Sequence, residues 1–246
     1  MSITEANAIL LDARSVLVLT GAGMSAESGV PTFRGGGTSL VWRGLPFEEL
    51  SSASMVRENL PLVWEWFDYR RGVLADCSPN AGHACLAEVE RSGRFGSFML
   101  VTQNIDDLHR GAGSERVIEL HGNIHKARCA ACDRIDDMRE LGEARPPVCL
   151  DCGSVMRPNV VLFGEYLPER AFERAMAAAE DCDVCLVVGT SALVAPASML
   201  PAVAKAAGAR VIEINPEETG LSADCDVSLR GKAAELLPQL FGMAAA

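Results

Sequence analysis

Four cysteines stand in two tight pairs, "CAAC" at Cys129–Cys132 and "CLDC" at Cys149–Cys152, with residues 133–148 between them. Each C-x-x-C presents two thiolates from one turn, and two such knuckles at this separation close a tetrahedron of soft donors around Zn2+. Gly153 follows the second pair, as a turn there requires. Four thiolates leave no open coordination position. One structural zinc per chain is therefore expected on Cys129, Cys132, Cys149 and Cys152. A redox role is the weaker alternative, because one pair would suffice for it. A third C-x-x-C, Cys182–Cys185, enters an apolar run and reads as buried core thiols.

A second pattern, "GAGMSAESGVPTFR" (Gly21–Arg34), follows the apolar run Val16–Thr20. Gly21, Gly23 and Ala26 fit the G-x-G-x-x-A turn. The first glycine permits the tight turn, the second lets backbone amides approach a pyrophosphate, and the small third residue allows a following helix to pack closely on the strand. A nicotinamide dehydrogenase would add an acidic ribose hook about 20 residues later, at the end of a second strand. Here no strand precedes Glu48 and Glu49. A dinucleotide is implied, and hydride transfer is not.

A third cluster is "VTQNIDDLHRGAG" (Val101–Gly113), with Gln103, Asn104 and Asp106 straight after an apolar run. "IELHGNIH" brings His121 to the end of another such run, where an imidazole can serve as a general base near neutral pH. His83, His109 and His125 lack such a setting and read as structural. "GTSALVAP" (Gly189–Pro196) and "INPEET" (Ile214–Thr219) set small hydroxyls and an Asn at further run ends. Ligands in open α/β sheets bind at such carboxyl ends. "RPNVVLFGE" (Arg157–Glu165) reads as core, or as an edge offered to a peptide.

These residues need strands to place them. Val16–Thr20, Phe98–Thr102, Val117–Leu120, Val184–Val188 and Arg210–Ile214 read as buried parallel strands. Pro168–Glu180 and Pro196–Gly208 read as helices, the second interrupted at Pro201. At the start, Ile3, Ala6, Leu10 and Ala13 share one helix face, with Thr4 as the candidate cap. Alternating strands and helices predict an α/β, doubly wound, Rossmann-like sheet with a helical insertion and a small zinc-binding module. The expected division is 1–34, 74–124 and 158–246 for the nucleotide-binding domain, 35–73 for a cofactor loop and helical insertion, and 125–157 for the zinc module.

Length and composition set the outer bounds. The chain has 246 residues, enough for one large α/β domain with a satellite. Its net charge of -11 opposes non-specific binding to nucleic acid. The start lacks a basic n-region, and no apolar run is long enough to span a bilayer. The expectation is a cytoplasmic protein with no membrane or specific nucleic-acid partner.

Together these stretches resemble the sirtuin family of NAD-dependent protein lysine deacylases. The matches are "GAGMSAESGVPTFR", "QNID", "HG", the two knuckles, "VVLFGE", "GTS" and "INPE", in the family's order from Gly21 to Gly231. The resemblance implies that NAD+ is consumed as a co-substrate. Gly21, Ala22 and Gly23 would face its pyrophosphate, and Phe33 and Arg34 would lie on a loop shielding the reacting ribose. Gln103 and Asn104 would hold the nicotinamide ribose region, Asp106 the carboxamide, and His121 would be the base. Gly189, Thr190, Ser191, Asn215 and Ala233 would line the adenosine half. Ala26, Glu27, Ile105, Pro216 and Glu217 complete the implied cofactor set.

The implied activity removes acyl groups from protein lysines, transfers them to ADP-ribose and releases nicotinamide. Deacetylation is expected, with desuccinylation as a further acyl activity. Val161, Phe163, Gly164 and Val194 would line the acyl-lysine tunnel. The family's succinyl-removing members carry Tyr-x-x-Arg, which here reads Phe67 and Arg70. The guanidinium is present and the phenol absent, and on a helix both residues would reach one pocket. "GGGTSLVW" also departs from the family's more usual Gly-Leu-Trp. The expected partners are acylated lysine side chains, and the expected state is a monomer. The alternative is a mono-ADP-ribosyltransferase on the same scaffold, which retention of His121 disfavours.

Overall fold

The computed structural model describes residues 2–31 and 41–243. Six parallel strands form the central sheet: β1 (Ser15–Thr20), β4 (Ser97–Thr102), β5 (Val117–Glu119), β9 (Val184–Val188), β10 (Arg210–Asn215) and β11 (Val227–Arg230). Their order is β11-β10-β9-β1-β4-β5, so the chain starts in the middle and winds outward in both directions. The register aligns Thr20 with Thr102 and Val188, which brings three strand ends to one rim. β9 is buried at every position, as an interior parallel strand covered on both faces must be.

One face of the sheet packs on α1 (Ile3–Asp12), α5 (Ala81–Ser92) and α9 (Ala233–Leu240), through Ala6, Leu10, Leu86, Val89 and Leu237. The other face packs on α7 (Glu169–Asp181) and α8 (Leu200–Ala206), through Ala175, Ala179, Leu200 and Ala204. The small alanines let these helices lie close to the sheet. Cys182 and Cys185 are buried in this second layer.

Three local expectations are corrected. Ser2, not Thr4, caps α1: its backbone is extended and its hydroxyl accepts from the Glu5 amide, while Thr4 already lies inside the helix. Residues Pro196–Gly208 form a 3-10 turn (Ala197–Met199) and then α8, because Pro201 is tolerated only in the first helical turn. The glycine-rich stretch opens no α-helix but two 3-10 turns, Ala22–Met24 and Ala26–Ser28. The sequence reading also missed β11, a four-residue edge strand, and the hairpin of β2 (Val41–Trp42) and β3 (Leu45–Pro46). All three strands are too short for apolar alternation to mark them.

A second layer stands beside the rim. It holds α2 (Phe47–Leu50), α3 (Ala53–Glu58), α4 (Leu60–Leu74) and a three-stranded antiparallel sheet, β7 (Ile135–Asp137), β6 (Gly122–Cys129) and β8 (Met156–Val160). Helix α4 joins these parts. Trp64 is fully buried among Cys129, Cys149 and Met156 and donates its indole N–H to the Met156 carbonyl at 3.0 Å. On neighbouring helix faces, Trp66 and Phe67 pack with Ile124, Val160 and Leu162. Asn59 caps α4 through the Leu62 amide. The short helix α6 (Leu108–Gly111) follows β4 and completes the elements that carry the site. No helix among the described residues is long and apolar enough to cross a membrane.

Candidate functional site

The ends of β1, β4, β9 and β10 are tied into one cleft by hydrogen bonds. The Gly21 amide donates to the Val188 carbonyl at 3.0 Å, and the Gly23 amide to the Gly189 carbonyl at 2.7 Å. These two turns touch backbone to backbone. A Cβ on Gly23 would lie 2.7 Å from Gly189 Cα, and one on Gly189, whose φ is 61°, would lie 2.3 Å from Met24 N. Asn215 donates its amide to the Thr190 carbonyl at 2.9 Å, and Gln103 donates its own to Thr190 Oγ1 at 3.0 Å. Asn104 donates to the Gly21 carbonyl at 3.0 Å and to Ser25 Oγ at 3.1 Å.

His121 lies just beyond β5, its ring anchored by Nδ1 on the Gln103 carbonyl at 2.8 Å. A carbonyl only accepts, so Nδ1 carries the proton and Nε2 holds a free lone pair. Burial lowers the His121 pKa, and the Gln103 carbonyl opposes part of that shift. Asp106 is buried, with Oδ1 accepting from the Leu108 amide at 3.0 Å. Burial pushes its pKa up, while the Leu108 and Ser25 hydrogen bonds and the charge of Arg70 pull it down.

Other expected residues take varied positions. Glu27 reaches the start of α9 and accepts from the Ala234 amide at 2.9 Å, so it docks that helix end, with Ala233, beside the glycine turns. Ala26 flanks the turns, and Ile105 accepts the Ile124 amide through its carbonyl. Ser191 follows Thr190, and Pro216 and Glu217 stand exposed past β10. Phe33 and Arg34 lie outside the described residues. Val161 donates its amide to the His121 carbonyl at 2.9 Å, so the segment after β8 runs directly beneath the histidine. Phe163 is half exposed, packed edge-on against Phe47, and Gly164 turns with φ 87°. Val194, on the loop after β9, is partly buried. Phe67 is wholly buried. The Arg70 guanidinium lies 5.7 Å from the ring centres of both Trp66 and Phe67, and burial pushes its pKa down to about 10.

Sequence reasoning missed a buried polar layer behind the cleft. Thr20 Oγ1 meets Thr102 Oγ1 and His109 Nε2, each at 2.9 Å. His109 lies 4.7 Å from His83, ring centre to ring centre. His83 Nδ1 accepts from the Asn80 amide, so its Nε2 carries hydrogen toward Ser25 Oγ at 3.4 Å. The signal lay in "PNAGH", an Asn cap with a side-chain acceptor three residues on.

The four cysteine sulfurs lie within 4.8 Å of one another, with Cys129–Cys152 at 3.5 Å and both Cys132–Cys149 and Cys132–Cys152 at 3.7 Å. A tetrahedron with metal–sulfur bonds of about 2.3 Å has edges of about 3.8 Å, so the donor set fits zinc. The third knuckle-like pair, Cys182 and Cys185, joins no such group among the described residues.

The fold and the site define a doubly wound α/β protein with a polar cleft at its strand ends and a four-thiolate zinc module. The Sir2 family model matches residues 21–196, and the chain belongs to that family. It is 44% identical to an NAD-dependent protein deacylase of Thermococcus kodakarensis over 94% of this chain and 91% of that one. Among solved structures it matches a Sir2 homolog–NAD complex with a TM-score of 0.88 at 42% identity, covering 98% of this chain and 92% of that one. It also matches a Sir2 bound to acetylated peptide, with a TM-score of 0.84 at 28% identity and 98% of both chains covered.

Proposed function

We propose that the protein is an NAD+-dependent protein lysine deacylase that moves the acyl group to ADP-ribose and releases nicotinamide. The observation that carries this reading is His121, held through Nδ1 by the Gln103 carbonyl with no hydrogen bond to Nε2 among the described residues, beside Asn104 and a glycine-walled cleft. Bound NAD+ supplies an electrophilic ribose carbon with nicotinamide as leaving group. The acyl oxygen of the substrate bonds to that carbon as the bond to nicotinamide breaks. His121 Nε2 then takes the proton of a ribose hydroxyl, whose oxygen adds to the acyl carbon. Water completes the release of free lysine and acyl-ADP-ribose.

The remaining roles follow the chain's own chemistry. Asn104 orients the nicotinamide ribose region, and Asp106 accepts from the nicotinamide carboxamide. Gly21, Ala22 and Gly23 face the pyrophosphate. Gly189, Thr190, Ser191, Asn215 and Ala233 take the adenosine half. Val161, Phe163 and Val194 wall the acyl-lysine stem against water. The zinc on the four cysteines supports the fold and takes no part in the reaction. The division into a nucleotide-binding domain, a 35–73 insertion and a 125–157 zinc module stands as part of this reading. So does a cytoplasmic monomer, and the net charge of -11 supports the absence of nucleic acid among its partners.

Incubation with NAD+ and an acetyl-lysine peptide, read by mass, tests the proposal. Nicotinamide and acetyl-ADP-ribose should form in equal amounts, and only with the peptide. Release of nicotinamide without acyl-lysine, together with ADP-ribose attached to protein, would establish the transferase instead.

A further inference from the structure

Asp107 follows Asp106 in a left-handed backbone conformation, φ 67° and ψ 6°. A residue with a Cβ incurs a small cost in this region, less for Asp than for most, and an anchored side chain tips the balance toward it. Asp107 stands at the N-terminus of α6, yet its side chain caps nothing in that helix. Its Oδ1 instead accepts from Asn123 Nδ2 at 2.7 Å. The same amide group donates to Glu119 Oε1 at 2.8 Å, and Asn123 Oδ1 accepts from the His125 amide at 2.9 Å. Asn123 is 1% exposed, so these bonds cannot be exchanged for water at no cost. Its neighbour Ile124 donates its amide to the Ile105 carbonyl at 2.9 Å, fastening β6 to the other side of Asp106.

We infer that Asn123 is a positioning residue for Asp106: by holding Asp107 in the left-handed region through its amide, it keeps the Asp106 carboxylate aimed for the nicotinamide end of the cofactor. The coupling runs through the backbone. Asp106 Oδ1 is oriented by the Leu108 amide, and the two are separated only by Asp107. If Asp107 relaxes to a right-handed conformation, the Leu108 N–H turns away and the buried carboxylate loses its orienting donor. The inference rests on the carboxamide role proposed above for Asp106.

The test compares the affinities of NAD+ and ADP-ribose, measured by calorimetry, in wild type, Asn123→Ala, and Asn123→Ala combined with Asp107→Gly. ADP-ribose lacks the nicotinamide and does not report on Asp106. Asn123→Ala should weaken NAD+ by about tenfold, the loss of one or two buried hydrogen bonds, and leave ADP-ribose and zinc content unchanged. Glycine adopts the left-handed region without an anchor, so the double variant should recover NAD+ affinity. Equal losses for both ligands, no loss for either, or a double variant no better than the single one would overturn the inference alone. If Asn123→Ala does not fold, Asn123→Asp, of the same shape but set between Asp107 and Glu119, replaces it under the same criteria. A wild-type protein that binds no NAD+ would overturn the proposed function and this inference together.

Discussion

His121 Nδ1 donates to the main-chain carbonyl of Gln103 at 2.8 Å, and the same Gln103 sends its side chain to Thr190 Oγ1 at 3.0 Å. The proposed base is thus held by a residue that also joins the ends of β4 and β9. Its tautomer is set by a backbone atom that no single substitution removes.

His121→Ala should therefore retain NAD+ and lose turnover by roughly 10²–10⁴-fold, the range for removal of a general base. Burial lowers the imidazole pKa, so the neutral, proton-accepting form persists below the ordinary value of 6.5. The acid limb of kcat for the wild type should fall below pH 6.5. A limb at or above that value, or near-normal turnover by the alanine variant, counts against the assignment.

Gly23→Ala would drive a Cβ to 2.7 Å from Gly189 Cα, a contact between two main chains that neither turn can relieve cheaply. Overpacking of this kind costs about 1–3 kcal/mol. The variant should melt at lower temperature and bind NAD+ and ADP-ribose more weakly. Unchanged affinity for both ligands would show that the turns do not face the pyrophosphate.

Cys149→Ser should lower zinc content and melting temperature together, because the metal closes the module. The effect should reach further than the module. Trp64 packs among Cys129, Cys149 and Met156, and its helix α4 also carries Phe67 and Arg70. Trp64→Ala, with zinc retained, should therefore raise KM for the acyl peptide more than KM for NAD+. Equal changes in the two constants would mean that α4 is not a wall of the acyl site.

Arg70→Met should lower the succinyl-to-acetyl ratio of kcat/KM, as the guanidinium is the cation offered by α4 beside Asp106. Phe67→Tyr should do little for that ratio and should instead destabilise the protein. Its ring is wholly buried in an apolar cluster, where an unpartnered hydroxyl costs about 1–3 kcal/mol. An unchanged ratio in Arg70→Met would place the arginine outside the acyl pocket.

Among the described residues no carboxylate shifts His83 or His109, both buried, and burial pushes the His83 pKa down to about 4. His109 is lowered too, by burial first and by His83 second. The folded values lie below the unfolded 6.5, so the unfolded chain binds more protons in this window. Stability is complete above pH 6.5 and falls as pH drops from there toward 4, by at most about 1.4 kcal/mol per pH unit for each histidine. His83→Gln should flatten the melting temperature between pH 6.5 and 4. A slope as steep as that of wild type would rule His83 out as a source.

Periodicity and spacing made much of this protein legible. The knuckles are local turns, so their ligands can be named from a count of residues. Five of the six sheet strands are apolar runs because each is covered on both faces, and the polar residues at their ends mark the rim where a ligand can sit. Tertiary structure alone decided what stands behind that rim. His83 and His109 are separated by a helix and a strand, and only the packing of α5 on the sheet sets their rings together. Asn123 and Asp107 each look like ordinary polar residues of a turn, and their bond exists only because β6 folds back along the segment after β4. Phe67 and Arg70 share a helix, yet which one is sealed in the core depends on the β8 side chains packed against α4. Local chemistry follows from neighbours along the chain, whereas burial and long-range hydrogen bonds follow from neighbours in space, which no local pattern encodes.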